Sequence, residues 1–213
     1  MYDARYARQT MLPEIGTEGQ RRLAGASVLI VGLGGRARTE GTVEALLGPE
    51  LLTDDGLLTE QGSATFWDRS TLYALRGIYR AGQADRATEF LHRYSERRLL
   101  GEHVPYPIEA WPEGSQRHLS AESGLYCRII TEGLFGIRPV GLRSFDLTPS
   151  LPAAWNRVEL RRIRAFGSEF DLRIERMDSG SLRITLSEQD RKPVAFRIRE
   201  GETRRITLKN NPL

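Results

Sequence analysis

The sequence is poor in cysteine, histidine and lysine, and each scarcity excludes a class of protein. A single cysteine in 213 residues excludes an intrachain disulfide and a cysteine-based zinc site. Three histidines without a His-x-x-His spacing argue against a metal centre, and we expect neither a metal nor a cofactor. Only Lys192 and Lys209 are lysines among the 31 basic residues, and the arginines alternate with acidic residues. This alternation favours solvated faces over a nucleic-acid surface.

Long hydrophobic runs are also missing. No stretch approaches the roughly 20 apolar residues that a membrane span requires, so no membrane partner is expected. Residues 1–16 lack the apolar core of a secretory signal, so export is not supported; the location is left open, with cytoplasmic as the default. With 39% hydrophobic and 28% charged residues, the composition is that of a globular chain with a buried core.

Three unlike segments follow one another along the chain. In the first, residues 1–36, the apolar run 27–31 leads into Gly32-Leu-Gly-Gly35, which predicts a strand feeding a glycine turn. Such a turn either admits a nucleotide phosphate or is an ordinary glycine-rich turn, and the spacing leaves both open.

The second segment, residues 37–136, is predicted to be helical. Helices are expected over 63–81, 84–99 and 120–135, and the short link between the first two predicts an antiparallel helical hairpin. The apolar faces comprise Trp67, Leu72, Leu75, Ile78 and Tyr79, then Ala87, Phe90, Leu91 and Tyr94, then Leu125, Tyr126, Ile129, Ile130 and Leu134. Glu96, Arg97 and Arg98 are predicted to lie opposite the second of these faces. Glu132 is expected either to pair with an arginine or to lie near a site.

The third segment, residues 137–213, is predicted to be β. Polar and apolar residues alternate strictly around Phe145, Leu172, Ile184 and Phe196, and Asp178-Ser-Gly180 is a hairpin signal. Short strands of this kind predict an antiparallel β-sandwich. The fold class expected for the whole chain is therefore α+β.

An irregular, proline-rich stretch over residues 101–118 is the candidate site. Glu109 lies between apolar residues and is followed closely by Trp111, and sugar chemistry uses such a carboxylate beside an aromatic plane. The alternative is a solvated Glu109 with Trp111 as a core residue. Further candidates for substrate contact are Tyr106, His103, His118 and Glu113. Glu122 is interpreted as a structural carboxylate in the first turn of a helix, and Cys127 as a packed thiol rather than a nucleophile.

Residues of about 42–177 resemble the closing part of six-hairpin (α/α)6-barrel glycosidases of the α-L-rhamnosidase-like type. The resemblance lies in Trp67-Asp-Arg69, in Pro107-Ile-Glu-Ala-Trp-Pro-Glu113, in His118-Leu-Ser-Ala-Glu-Ser-Gly-Leu-Tyr126 and in Glu132-Gly-Leu-Phe-Gly-Ile-Arg-Pro139. It implies a partial helical-hairpin barrel followed by a β-sandwich (137–213), a carbohydrate substrate, an inverting mechanism and Glu109 as general base. The general acid of these enzymes comes from barrel helices for which the chain has no room. A fragment inactive by itself is therefore expected, with the missing barrel half or a second copy as further partners.

Residues 1–36 resemble a different family, the ubiquitin-activating-like adenylyltransferases that charge sulfur-carrier proteins. The matching residues are Arg5-Tyr-Ala-Arg-Gln9, Leu12-Pro-Glu-Ile-Gly16, Gly19-Gln20 and Val28-Leu-Ile-Val-Gly-Leu-Gly-Gly35. The resemblance implies ATP binding at the glycine loop and an Arg8 that reaches a neighbouring subunit's nucleotide. An ATP-dependent adenylyltransferase and a non-catalytic interaction module are thus the alternatives to a glycosidase-type protein.

Overall fold

The computed structural model describes residues 36–64, 66–100, 106–108, 110–111, 120–177, 180–189 and 191–208. These residues form an α+β structure, in which helices dominate up to residue 134 and antiparallel strands follow. The strand and glycine turn predicted within residues 1–35 lie outside the described residues. In the described ranges no helix is long and apolar enough to cross a membrane.

The helical part is built around two helices that pack across a short link. Its elements are α1 (Arg36–Leu46), β1 (Phe66–Trp67), α2 (Asp68–Arg80), α3 (Ala84–Leu99), β2 (Ala110–Trp111) and α4 (Ser120–Arg128). Helix α3 has the bounds predicted from its periodicity, and α2 packs against it. The predicted apolar faces of both helices are buried, with Leu72, Leu75, Ile78 and Tyr79 on α2 and Ala87, Phe90, Leu91 and Tyr94 on α3.

Two predictions in this region are wrong. Trp67 does not belong to the buried face of a helix, because it lies in β1 with 43% of its surface exposed, and α2 begins only at Asp68. Arg98 is not on the solvent side of α3, because it is 3% exposed and forms an ion pair with Asp68. Helical periodicity therefore located the core correctly. It misplaced Trp67 and Arg98, whose partners Ala110 and Asp68 are remote in sequence.

The third predicted helix changes its geometry along its length. Helix α4 is followed directly by a π-helix (Ile129–Leu134), whose wider turns pack against α2. At their closest approach a Cβ atom on Gly133 would lie 3.2 Å from Tyr79, so only glycine fits here without displacement of that ring. Leu125 and Leu134 are buried as predicted, whereas Cys127 is exposed and the prediction of a packed thiol is wrong.

The strands after residue 136 form two antiparallel sheets. They are β3 (Ile137–Gly141), β4 (Ser144–Leu147), β5 (Arg157–Ala165), β6 (Ser168–Met177), β7 (Ser181–Glu188), β8 (Val194–Arg199) and β9 (Arg204–Thr207). One sheet has the order β3-β4-β9 and the other the order β5-β6-β7-β8. Met177 pairs with Ser181, which confirms the hairpin predicted at Asp178-Ser-Gly180.

Aromatic side chains join the two sheets. The ring of Phe145 on β4 stacks on Phe170 of β6 and on Phe166 of the β5–β6 turn, with centroid distances of 5.8 and 5.0 Å. Phe145 and Phe170 are fully buried, so this contact is part of the core. Burial of two such rings contributes several kcal/mol, on the order of 3 to 5 kcal/mol for each Phe-to-Ala truncation.

Candidate functional site

A two-residue ladder fixes the main chain within the candidate loop, the stretch 101–118. In β1 and β2, Phe66 pairs with Trp111 and Trp67 pairs with Ala110 in antiparallel register. Strand β1 continues directly into α2, so the ladder holds the main chain of residues 110 and 111 at the first turn of that helix. The backbone of Trp111 is thus attached to a packed helix rather than to another loop.

A buried carboxylate holds the main chain at the residue before Glu109. The Oδ2 atom of Asp68 accepts a hydrogen bond from the Ile108 N–H at 3.0 Å and one from Nη2 of Arg98 at 2.8 Å. Asp68 is 0% and Ile108 3% exposed, so both groups of the main-chain bond are shielded from water. Residue 109 therefore lies between two anchored points, one on each side, although Glu109 itself is outside the described residues.

The charge state of Asp68, which together with the Ile108 N–H forms the anchor of this loop, depends on Arg98. Its Nη1 atom donates to the Asp55 carbonyl at 3.2 Å, and its guanidinium lies 5.6 Å from the Tyr94 ring centroid. Burial raises the pKa of Asp68, whereas the charge of Arg98 and the hydrogen bond from Ile108 oppose that rise. Burial and the neighbouring Asp68 also raise the pKa of Tyr94. The guanidinium is thus the charge that opposes protonation of the buried carboxylate, which accepts the hydrogen bond from the loop.

A second buried carboxylate lies in the first turn of α4. Glu122 is 0% exposed and pairs with Arg69 of α2, with Oε1 at 2.8 Å from Nε and 2.7 Å from Nη2. The expectation of a structural carboxylate is met by this ion pair. Glu132 also pairs with arginines, with Arg76 at 2.9 Å and with Arg128, so its two alternatives are decided in favour of pairing.

The structure describes only part of the predicted site. Tyr106 is half-buried, and for Trp111 the main chain alone is described. Glu109, His103, His118 and Glu113 lie outside the described residues. The structure therefore brings Tyr106 and the Trp111 backbone to one anchored segment, and the placement of the other four side chains stays a prediction.

Sequence reasoning missed three residues that shape this segment. Asp68 and Arg98 are 30 residues apart and meet only through packing of α2 on α3. Trp67 is an exposed indole on the ladder, opposite Ala110. The signal that could have located it is the aspartate that follows, since an acidic residue marks the first turn of a helix and would place Trp67 before its start.

A separate cleft of about 670 Å³ lies between the end of α2 and the β-sheets. Its ionic lining consists of Arg80, Asp85, Glu132, Arg138, Arg176 and Glu200. Most of these charges are engaged within the fold: Arg176 pairs with Glu200 at 2.8 Å, and the Asp85 carboxylate accepts the Ala153 N–H at 2.7 Å. No residue of the candidate loop lines this cleft, at least among those that the structure describes. In the same ranges no group of three His, Cys, Asp or Glu side chains is arranged to hold a metal ion.

Comparison with known proteins gives one short similarity. No protein-family model and no solved structure matches the chain. Over 31 residues the chain is 71% identical to the adenylyltransferase and sulfurtransferase MOCS3 of Sus scrofa and 64% identical to that of Bos taurus. The match to the protein of the same name from Drosophila ananassae is 62% over 32 residues. Each covers 15% of this chain, and the chain spans only 7% of the length of these relatives. The similarity supports the adenylyltransferase resemblance over that short length, and nothing in the comparisons supports the glycosidase resemblance.

Proposed function

We propose that residues 36–208 form a carbohydrate-binding unit of the glycoside hydrolase type. In this proposal α2, α3 and α4 belong to an (α/α) barrel wall, and the two antiparallel sheets are the layers of a β-sandwich. Glu109 is the general base of an inverting site, and the Trp111 indole stacks on a sugar ring. The observation that carries the proposal is the anchoring of the main chain on both sides of Glu109.

Anchoring matters because a general base must be held in position. A group that activates water has to stay within hydrogen-bond reach of that water, and loosely held groups lose much of their effect. Here a loop rich in proline is attached by the buried Asp68–Ile108 hydrogen bond before residue 109 and by the Trp67–Ala110 pairing after it.

The inverting reaction gives Glu109 a defined task. The base removes a proton from water as the water attacks the anomeric carbon, while an acid on the opposite side protonates the leaving oxygen. The two carboxyl groups of such enzymes lie roughly 6.5 to 9.5 Å apart. The proposal assigns the base to this loop. The acid would come from barrel helices of the glycosidase family that the resemblance does not cover.

Trp111→Ala is expected to weaken saccharide binding by about tenfold or more, because an aromatic ring buries a large area against a sugar face. Saturation-transfer NMR with L-rhamnose and methyl α-L-rhamnoside measures the effect. The matched control is Trp155→Ala, which removes an indole that is 41% exposed in the turn before β5. Equal binding by the Trp111 variant and the unaltered chain would count against the proposal.

Glu109→Gln tests the catalytic role separately. The substrate is 2,4-dinitrophenyl α-L-rhamnoside, whose leaving group departs without protonation, so the base is tested without the general acid. Its hydrolysis is expected to fall by about 10² or more, since general-base catalysis contributes on this scale, while binding is retained. Glu89→Gln, at an exposed position of α3, is the control for loss of one carboxylate. Turnover that persists in the Glu109 variant would remove Glu109 as the base.

The similarity over 31 residues favours a second candidate, ATP-dependent adenylylation. Its signature is exchange of pyrophosphate into ATP, and Arg8→Ala is expected to abolish this exchange because the resemblance assigns Arg8 to the nucleotide. Glu109→Gln serves as the control that leaves it unchanged. Absence of exchange in the unaltered chain would dismiss this candidate.

A further inference from the structure

We propose that the outward face of the sheet β5-β6-β7-β8 binds an acidic glycan through Arg183, Arg197 and Arg199, which we call the arginine cluster. All three side chains are exposed, and they lie on the neighbouring strands β7 and β8. The choice of a glycan as the occupant rests on the proposed carbohydrate function. The cluster itself is separate from the Glu109 loop.

Cross-strand register places like charges side by side in this cluster. Arg183 pairs directly with Arg197, and Ser181 pairs with Arg199 one step along the same face. Like charges directly opposite each other destabilise a sheet. Within the described ranges, none of the three guanidinium groups has a carboxylate oxygen within 4.0 Å, and the nearby Glu202 carboxylate accepts instead from the Arg199 backbone N–H at 2.9 Å. Glu175 of β6 lies opposite Arg183 on its other side, whereas Arg197 and Arg199, on the edge strand β8, have no acidic cross-strand partner in the described sheet. Like charges that are only partly compensated within the fold are typical of a binding position.

Elsewhere on this face of the sheet, on β5 and β6, the arginines form ion pairs with a carboxylate. Glu159 on β5 pairs with Arg157, Arg161 and Arg173, and the hydrogen bonds from Arg161 and Arg157 lower its pKa to about 2. With Asp171 and Glu175 at alternate positions of β6 on the same face, three carboxylates match these three arginines, whereas the outward positions of β7 and β8 carry no carboxylate. The positive charge left for a ligand is therefore concentrated on the arginine cluster.

A glycan with one carboxylate per sugar suits this arrangement better than a nucleic acid. Guanidinium groups match carboxylates in a planar, two-bond geometry, and neighbouring strands offer them about 4.8 Å apart. Glu175 and Thr185 are neighbours of the cluster that can accept hydrogen bonds from sugar hydroxyls. Single-stranded nucleic acids require aromatic stacking platforms, and the outward positions of β7 and β8 (Ser181, Arg183, Thr185, Ser187, Ala195, Arg197 and Arg199) carry none.

The test uses the full chain and polygalacturonate, with dextran as the uncharged glycan, in calorimetric titrations at low and moderate salt. Arg183→Gln/Arg197→Gln is expected to weaken polygalacturonate binding by about tenfold or more, because hydrogen bonds between ionised groups are the strong class. The control Arg80→Gln/Arg93→Gln removes the same charge from exposed helical positions and is expected to change affinity by less than about twofold. The melting temperature of the cluster variant should stay close to that of the unaltered chain, since the repulsion between Arg183 and Arg197 and the attraction between Glu175 and Arg183 are both removed.

Three results would overturn the proposal: no binding to polygalacturonate, an equal loss in both double variants, or tighter binding to single-stranded DNA with the same dependence on Arg183 and Arg197. Trp111→Ala separates this site from the proposed function. If that variant still binds both polygalacturonate and rhamnosides, the Glu109 site fails while the arginine cluster stands. If polygalacturonate binding is insensitive to the cluster while rhamnoside binding requires Trp111, the reverse holds.

Discussion

Replacement of Arg98 by methionine is expected to lower the free energy of unfolding by about 3 to 5 kcal/mol, the range found when one partner of a buried ion pair is removed. Arg98 and Asp68 are 3% and 0% exposed, so the remaining carboxylate would have neither a cation nor water to stabilise its charge. Urea denaturation followed by circular dichroism measures the change. The size of the effect identifies the anchor as part of the core.

The loss should also depend on pH. Without the guanidinium, burial is opposed only by hydrogen bonds such as that from the Ile108 N–H, so the pKa of Asp68 in the folded state rises further above the ordinary value. A raised folded-state pKa contributes stability at low pH that disappears as the pH rises through that pKa. The difference between Arg98→Met and the unaltered chain is therefore expected to be smaller at pH 4 than at pH 8.

Two further variants make this test specific. Arg97→Met, at the next position of α3, removes an exposed pair with Asp55 and should cost at most about 1 kcal/mol. Adding Asp68→Asn to Arg98→Met should recover much of the loss, because the amide oxygen can still accept the Ile108 N–H without a buried charge. A double variant as unstable as Arg98→Met would contradict the assigned cause.

Substitution of Gly136 by alanine is the second large effect that we expect, with a loss of more than about 3 kcal/mol. Gly136 connects the π-helix to β3 at a φ of +67°, where an L-residue is strained by about 1 to 3 kcal/mol. Its Cβ atom would in addition lie 1.9 Å from the Thr148 carbonyl oxygen, so the backbone itself must move. That movement would break the 3.1 Å hydrogen bond from the Thr148 N–H to the Gly136 carbonyl.

The control for Gly136 is Gly82→Ala in the link between α2 and α3. Gly82 has a similar φ of +78°, but a Cβ atom there meets nothing within 4 Å. Only the conformational strain remains, about 1 to 2 kcal/mol. Thermal unfolding of both variants compares the backbone strain with and without the steric clash. Equal losses in the free energy of unfolding would mean that the clash with Thr148 is relieved at no cost.

Much of this fold could be predicted from local pattern. The apolar stripe of α3 and the short link before it were enough to give the helical hairpin, because burial of one helix face imposes a 3.6-residue period. Likewise, alternation gave β6 and β7, since each has one face on the core. These elements are determined by neighbours in sequence, and the sequence displays them directly.

Residues whose partners are remote could not be placed in this way. Arginine is a residue type usually found at the surface. Only the packing of α2 on α3 brings Asp68 Oδ2 to 2.8 Å from Arg98 Nη2. Glu122 likewise pairs with an arginine 53 residues away. The like-charged Arg183 and Arg197 were hidden because register across strands, not order along the chain, makes them neighbours. Ion pairs between residues remote in sequence depend on the assembled fold, and the periodicity of apolar residues along the chain does not predict them.

The two attachments of the candidate loop restrict its evolution. Ile108 is held by Asp68 and Ala110 by Trp67, with a single position between them. An inserted or deleted residue at 109 would shift the pairing of Ala110 and Trp111 by one step or pull Ile108 away from its acceptor. Descendants of this sequence can therefore exchange the side chain at 109 far more easily than they can change the length of the segment, and its chemistry can diversify while its spacing is preserved.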